Sequence, residues 1–182
     1  MKQIFKSKKQ AGFTLVEALV AVGVMGAGIL SLLPIFTQGL KVSYQNQMQY
    51  IAQQKAQEAM ESIFTARDTR LVSSAKITNV SEGGIFLDGP QPLLASGPDG
   101  LYGTADDDTN NPDSIVVAPG PDKMFGTADD ITLNLNPFMT RTIQIKPDAK
   151  QTNLNDITIT INWTYQGQTS SYVLQGAISN FD

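Results

Sequence analysis

The stretch Gly12-Phe13-Thr14-Leu15-Val16-Glu17 opens an apolar run that reaches Phe36 and holds a single ionisable residue, Glu17. Phe13 to Phe36 spans 24 residues. As a helix this run would be about 36 Å long, enough to cross a hydrocarbon core of about 30 Å. A buried core helix of a soluble protein rarely runs this far without a charge on any face, so the run predicts a membrane segment. A carboxylate at the centre of such a segment costs about 2.5–3.5 kcal/mol on insertion scales, so Glu17 requires a specific partner.

The twelve residues before the run, Met1 to Gly12, carry four lysines and no acid. This asymmetry keeps them cytoplasmic and sends the rest of the chain outward. A secretory signal has its small-residue cleavage site after the apolar stretch, whereas Gly12 stands before it. A cut between Gly12 and Phe13 would therefore leave the apolar helix in the mature protein.

Gly12-Phe13-Thr14-Leu15-Val16-Glu17 followed by an apolar helix resembles the type IV prepilin family, which includes the pseudopilins of type II secretion. The resemblance implies cleavage after Gly12 by prepilin peptidase and N-methylation of the new terminus at Phe13. It also implies that Glu17 meets the Phe13 amine of a neighbouring subunit. The residues alone leave a second reading of Glu17 open, a helix N-terminal carboxylate stabilised by the dipole and by headgroups. Implied partners are other pilin or pseudopilin subunits, the peptidase, an inner-membrane assembly platform and membrane lipid. The implied location is the bacterial inner membrane, followed by a periplasmic or extracellular filament.

Pro34 falls inside the helical stretch, where it removes a backbone bond and clashes with the carbonyl of Leu30. Gly23, Gly26 and Gly28 precede it. The resemblance implies that roughly Gly26 to Pro34 melts on filament assembly; a kink flanked by small residues for close helix packing is the alternative. From residue 37 to 68 the helix continues in amphipathic form. Tyr44, Met48, Ile51 or Ala52, Lys55 or Ala56, Ala59 and Ile63 make a stripe among glutamines. Residues 13 to 66 would form one helix of about 80 Å. Residues 51–61, with Gly28-Ile29-Leu30, look like the PilV and GspI branch of minor pilins and pseudopilins.

Residues 69–182 form a β-rich head. Strands are expected at 75–80, 84–87, 114–118, 131–135, 140–146 and 156–165, with Gln166-Gly167 turning into a last strand at 168–178. Between Asp88 and Ser114 little is strand-like. Covering the sheet with the helical stripe gives an α+β fold, which the resemblance makes type IV pilin-like: a long helix packed on an antiparallel sheet.

Composition agrees with export. Removing the four leader lysines from 13 basic residues leaves 9 against 17 acidic ones, and there is no cysteine and no histidine. Disulfides, thiolate metal sites and histidine bases are excluded, and no basic patch outside the leader marks a nucleic-acid footprint.

Within the head lies an internal repeat. Residues 97–108, GPDGLYGTADDD, recur 23 positions later as 120–131, GPDKMFGTADDI, identical at eight of twelve positions. Carboxylates spaced around a glycine turn suit calcium, which takes six to eight oxygens in irregular geometry. The candidate ligands are Asp99, Asp106 and Asp107 in one copy and Asp122, Asp129 and Asp130 in the other. The repeats look similar to the Gly-Thr-Ala-Asp-Asp loops of exported bacterial proteins. Solvated turns and a surface for subunits or substrate are the other readings. No nucleophile or base accompanies these carboxylates, so no catalytic residue is assigned and an enzyme is not expected.

These features predict a pilin or minor pilin of a type IV pilus or related filament. The alternatives are a type II secretion pseudopilin and, from a different class, a membrane-anchored calcium-dependent adhesive module that does not polymerise.

Overall fold

The structure, a computed structural model, describes residues 12–179 apart from 137 and 152. Residues 1–11 of the expected leader, 1–12, lie outside the described residues. The chain divides into two compact units, residues 1–46 and 47–182.

A single helix, α1 (Leu15–Asp68), runs through Pro34 without interruption. In the first unit its large apolar side chains, from Leu15 to Phe36, are exposed, and the helix is long and apolar enough to cross a membrane. A soluble core could not leave this face uncovered, so the apolar surface is suited to lipid or to other helices.

The second unit uses the rest of α1 as one wall of its core. Met48, Ile51, Ala52, Lys55, Ala56, Ala59, Met60, Ile63 and Ala66 are buried. Their three- and four-residue spacing is the expected stripe, with both Lys55 and Ala56 on it. The opposite wall is an antiparallel sheet built from β1 (Gln91–Pro92), β6 (Met139–Pro147), β7 (Leu154–Tyr165) and β8 (Gln168–Ser179), in the order β1-β6-β7-β8. Ile157, Ile159, Ile161 and Trp163 stand opposite Ile145, Ile143, Arg141 and Met139, and these eight side chains are buried. Alternation along each strand aims that face at α1. Contact is close at β8, where a Cβ on Gly176 would lie 3.0 Å from Cε of Met60. Tyr165 pairs with Gln168 across Gln166-Gly167, both with positive φ, which is the two-residue hairpin expected at that place.

Two small ribbons complete this unit: β2 (Leu94–Ala95) with β3 (Asp108–Pro112), and β4 (Ser114–Ala118) with β5 (Ile131–Asn134). The strands expected at 114–118, 131–135, 140–146, 156–165 and 168–178 are therefore present, within a residue or so at most ends.

Three expectations are corrected. Residues 75–80 are not a strand: 3-10 turns occupy Ser74–Lys76 and Val80–Glu82, with one isolated bridge between Asn79 and Phe86. Residues 84–87 contribute only that bridge. The cause lies at Asn79, whose buried amide donates to Ile143 O at 2.9 Å and accepts from Ile145 N at 2.8 Å. One side chain thus pairs the edge of β6, and no strand is needed there. Finally, the span from Asp88 to Ser114 holds β1, β2 and β3. Their sequences, rich in proline, asparagine and aspartate, have poor strand propensity, and tertiary pairing overrides it. Pro92 lacks an N–H, which suits it to the short edge strand β1.

Candidate functional site

At the membrane end, Gly12 and Phe13 precede the helix and Phe13 is exposed. Thr14 is the N-cap residue: its Oγ1 accepts the backbone N–H of Glu17 at 3.3 Å, and its carbonyl accepts the N–H of Ala18 at 3.2 Å. Thr14-Leu15-Val16-Glu17 has capping-box spacing, which fixes where the helix starts and places Glu17 in its first turn. The Glu17 side chain is exposed and makes no hydrogen bond or ion pair among the described residues. Gly26 and Pro34 both lie within the continuous helix. Near them the Ser31 hydroxyl donates to Gly28 O at 2.7 Å and the Thr37 hydroxyl to Pro34 O at 2.9 Å. Neither bond reaches Leu30 O, the carbonyl that Pro34 leaves without its helical donor, and hydroxyls bonded back onto a helix in this way favour bending rather than support.

At the other end of the sequence pattern, the acidic repeat is also a structural repeat. Asp99 and Asp122 each accept the N–H two residues on, from Leu101 and Met124, both at 2.8 Å. Asp107 accepts the N–H of Gly103, and Asp130 that of Gly126, both at 2.7 Å. Asp106 takes the hydroxyl of Thr104, and Asp129 that of Thr127, again both at 2.7 Å. Six of the eight acids between Asp99 and Asp130 are thereby used as turn-forming acceptors, a role short aspartates fill well. No group of three carboxylates, cysteines or histidines converges to hold a metal among the described residues. Asp99 and Asp106 line one shallow cleft with Thr104, Val80, Gly84 and Ile85. Burial pushes the Asp107 carboxyl up, against bonds from Gly103 and Thr104 and the charge of Arg141. Asp129 is held below the usual carboxylate range by the Thr127 hydroxyl and the Asp122 N–H.

Each loop closes on a glycine. A Cβ on Gly97 would collide with the backbone carbonyl of Asp106, and one on Gly120 with that of Asp129. Backbone cannot move aside as a side-chain tip can. Gly97→Ala is therefore expected to lower global stability by about 1–3 kcal/mol, the cost of overpacking a fitted site. Gly120→Ala should instead raise protease cutting within 120–131 and leave the unfolding midpoint near its original value, because that copy is largely exposed. Fluorescence of Trp163, the sole tryptophan, and limited proteolysis read the two outcomes.

Pattern reasoning missed a buried ionic cluster beneath the first loop. Lys55 on α1, 5 % exposed, bridges Asp113 at 2.9 Å and Glu58 at 2.8 Å. Arg141 on β6 lies under the ring of Tyr102 at 4.5 Å and reaches Leu94 O at 3.4 Å. Burial pushes Arg141 down from the usual arginine value, opposed by Asp113 and Asp107. Burial also raises the Tyr102 hydroxyl. The available signal was a lysine in register with Ile51 and Ala59 on an apolar stripe.

Comparison with known proteins bears on the membrane end. Residues 7–33 match the family described as the prokaryotic N-terminal methylation motif. No curated protein and no solved structure matches the chain. The chain thus carries the type IV prepilin-like signature, and its fold is the α+β arrangement of type IV pilins, a long helix on an antiparallel sheet. The class these features support is a type IV pilin- or pseudopilin-type subunit, a structural rather than catalytic family. The match ends at residue 33, before most of the residues that carry the likeness to the PilV and GspI branch.

Proposed function

We propose that the protein is a filament subunit, a pilin or minor pilin of a type IV pilus or related fibre. The observation that carries this reading is the methylation motif at residues 7–33 opening an exposed apolar helix that continues into a β-rich head. Prepilin peptidase would cut between Gly12 and Phe13, Phe13 would be N-methylated, and Glu17 would pair with the Phe13 amine of the next subunit. The segment from Gly26 to Pro34 would be the part of the helix that unwinds on assembly. Other subunits, the inner-membrane assembly platform and lipid are the partners. The mass of the amino-terminal peptide from native membranes tests the route: methylated Phe13 is expected, and an intact Met1 would overturn it. Sheared extracellular filaments containing the chain distinguish a pilus subunit from a type II secretion pseudopilin.

Calcium at the acidic loops is a second proposal. It is favoured by Asp130 Oδ1, buried with no hydrogen-bond partner, and by Asp99 and Asp106 facing one cleft. Millimolar calcium is expected to raise the melting temperature and to protect residues 97–131 from protease. An unchanged melting curve and cleavage pattern would remove calcium from the account.

A further inference from the structure

The two acidic repeats share one internal geometry and have opposite surroundings. In the first copy the apolar pair Leu101-Tyr102 faces inward: Leu101 is 1 % exposed and Tyr102 lies on the guanidinium of Arg141. Gly103 accepts the N–H of Leu87 at 2.8 Å, and a Cβ on Gly103 would lie 2.9 Å from Cδ1 of Ile143. In the second copy the equivalent pair is Met124-Phe125, 63 % and 68 % exposed. Gly126 has the same left-handed backbone as Gly103, φ +85 against +79, yet nothing lies within 4 Å of where its Cβ would be. The second loop is therefore an apolar, acidic tip on the β4–β5 ribbon, shaped like a part that elsewhere in the same chain is seated.

The seat of the first loop shows what chemistry receives such a tip: an arginine under the ring, with apolar side chains around it. The chain has three arginines. Arg141 lies under Tyr102, and Arg67 lies over Phe64 at 5.6 Å and pairs with Asp68. Arg70, just past the end of α1, is exposed and has neither ring nor carboxylate among the described residues. Beside it Leu71 is 59 % exposed. A cation next to an apolar side chain complements a tip that carries Met124, Phe125 and three carboxylates against the one ammonium of Lys123.

We propose that the 122–130 tip docks on the Arg70–Leu71 surface of a second copy of this chain, with Phe125 over the guanidinium and Met124 against Leu71. The two patches are different surfaces of the chain. Their contact is heterologous, and repeating it builds an open chain of subunits. The inference rests on the filament reading above.

The protein has no cysteine, so engineered ones report contact cleanly. The full chain carrying Phe125→Cys with Leu71→Cys is expressed in its native membranes and oxidised, with Met124→Cys and Leu71→Cys as a second geometry. All three side chains are exposed and none supports the loop's hydrogen bonds. A ladder of disulfide-linked dimers, trimers and longer species is expected with both cysteines present, and no ladder with either alone. Adding Arg70→Glu to the pair is expected to reduce the ladder at least tenfold. Absence of a ladder in both geometries, insensitivity to Arg70→Glu, or a cross-link to a different protein would each overturn the proposal. Amino-terminal mass and filament yield from the same cells separate the two ideas. Filaments without a ladder refute the docking alone, and a ladder with an intact Met1 refutes the filament reading alone.

Discussion

Replacing Lys55 with methionine is expected to lower the unfolding free energy by about 3–5 kcal/mol, the usual cost of stranding one member of a buried ion pair. Lys55 is held at 2.9 Å from Asp113, and both side chains are at least nine-tenths buried. Methionine fills nearly the same space, so the loss comes from the carboxylate that is left rather than from a cavity. Asp113 Oδ2 already has no hydrogen-bond partner, so Oδ1 carries what stabilisation the group receives at contact range. Arg141 acts on Asp113 through charge but makes no ion pair with it among the described residues. Adding Asp113→Leu to Lys55→Met should restore most of the loss, because a hydrophobic replacement of a whole buried pair is often neutral. Urea unfolding followed by Trp163 fluorescence measures both, and a single variant within 1 kcal/mol of the parent, about the value of a surface pair, would show that water reaches the pair. The pH dependence has a definite sign. Burial lowers the Lys55 pKa, but Asp113 and Glu58 more than offset this and leave it above its usual 10.5. The stabilisation is therefore fully present below that value and is lost as pH climbs through the raised one.

The pair also marks where sequence reasoning stops. Position 55 is legible as part of the stripe because Ile51, Lys55 and Ala59 recur every four residues. Its partner lies 58 positions away, the single residue between β3 and β4, and no periodicity links them. The same contrast holds in the sheet. The alternation of Ile157, Ile159, Ile161 and Trp163 gave β7 and its hairpin directly, since a strand buried on one face writes its register into its residues. Residues 75–80 read as a strand because Ile77 and Val80 flank polar positions, yet the amide of Asn79 does a strand's pairing, and only tertiary structure reveals that. The duplication of the acidic loop is plain from eight shared residues. That one copy is seated and the other exposed depends on what lies beneath each, which the repeat itself does not encode. At the membrane end, the motif from Gly12 to Glu17 and the apolar run after it were readable in full, because lipid constrains composition more strongly than a folded core does.

Replacing Glu17 with alanine is expected to abolish filament assembly while leaving membrane insertion and leader cleavage intact. The helix start does not depend on the Glu17 side chain: its cap is the Thr14 hydroxyl on the Glu17 backbone N–H, which alanine retains. Insertion should become easier, since a carboxylate placed in the bilayer core opposes it by up to about 2.5–3.5 kcal/mol. On the proposed mode of assembly, alanine removes the acceptor for a neighbour's Phe13 amine. Losing one member of a desolvated pair costs about 3–5 kcal/mol, which at 1.4 kcal/mol per tenfold is a contact weaker by roughly 10² to 4 × 10³ at each subunit added. A role confined to the helix dipole would be worth only about 0.3–1 kcal/mol and would reduce assembly less than tenfold. The two roles therefore separate by magnitude. The measurement is the ratio of chain in sheared filaments to chain in membranes, with amino-terminal mass confirming the cut at Phe13. Glu17→Gln sharpens the test, because it keeps the size and polarity of the side chain and removes only the charge. If the charge is what holds a neighbour, glutamine should fail as alanine does; a glutamine variant that assembles within tenfold of the parent would show that the charge is not what holds it.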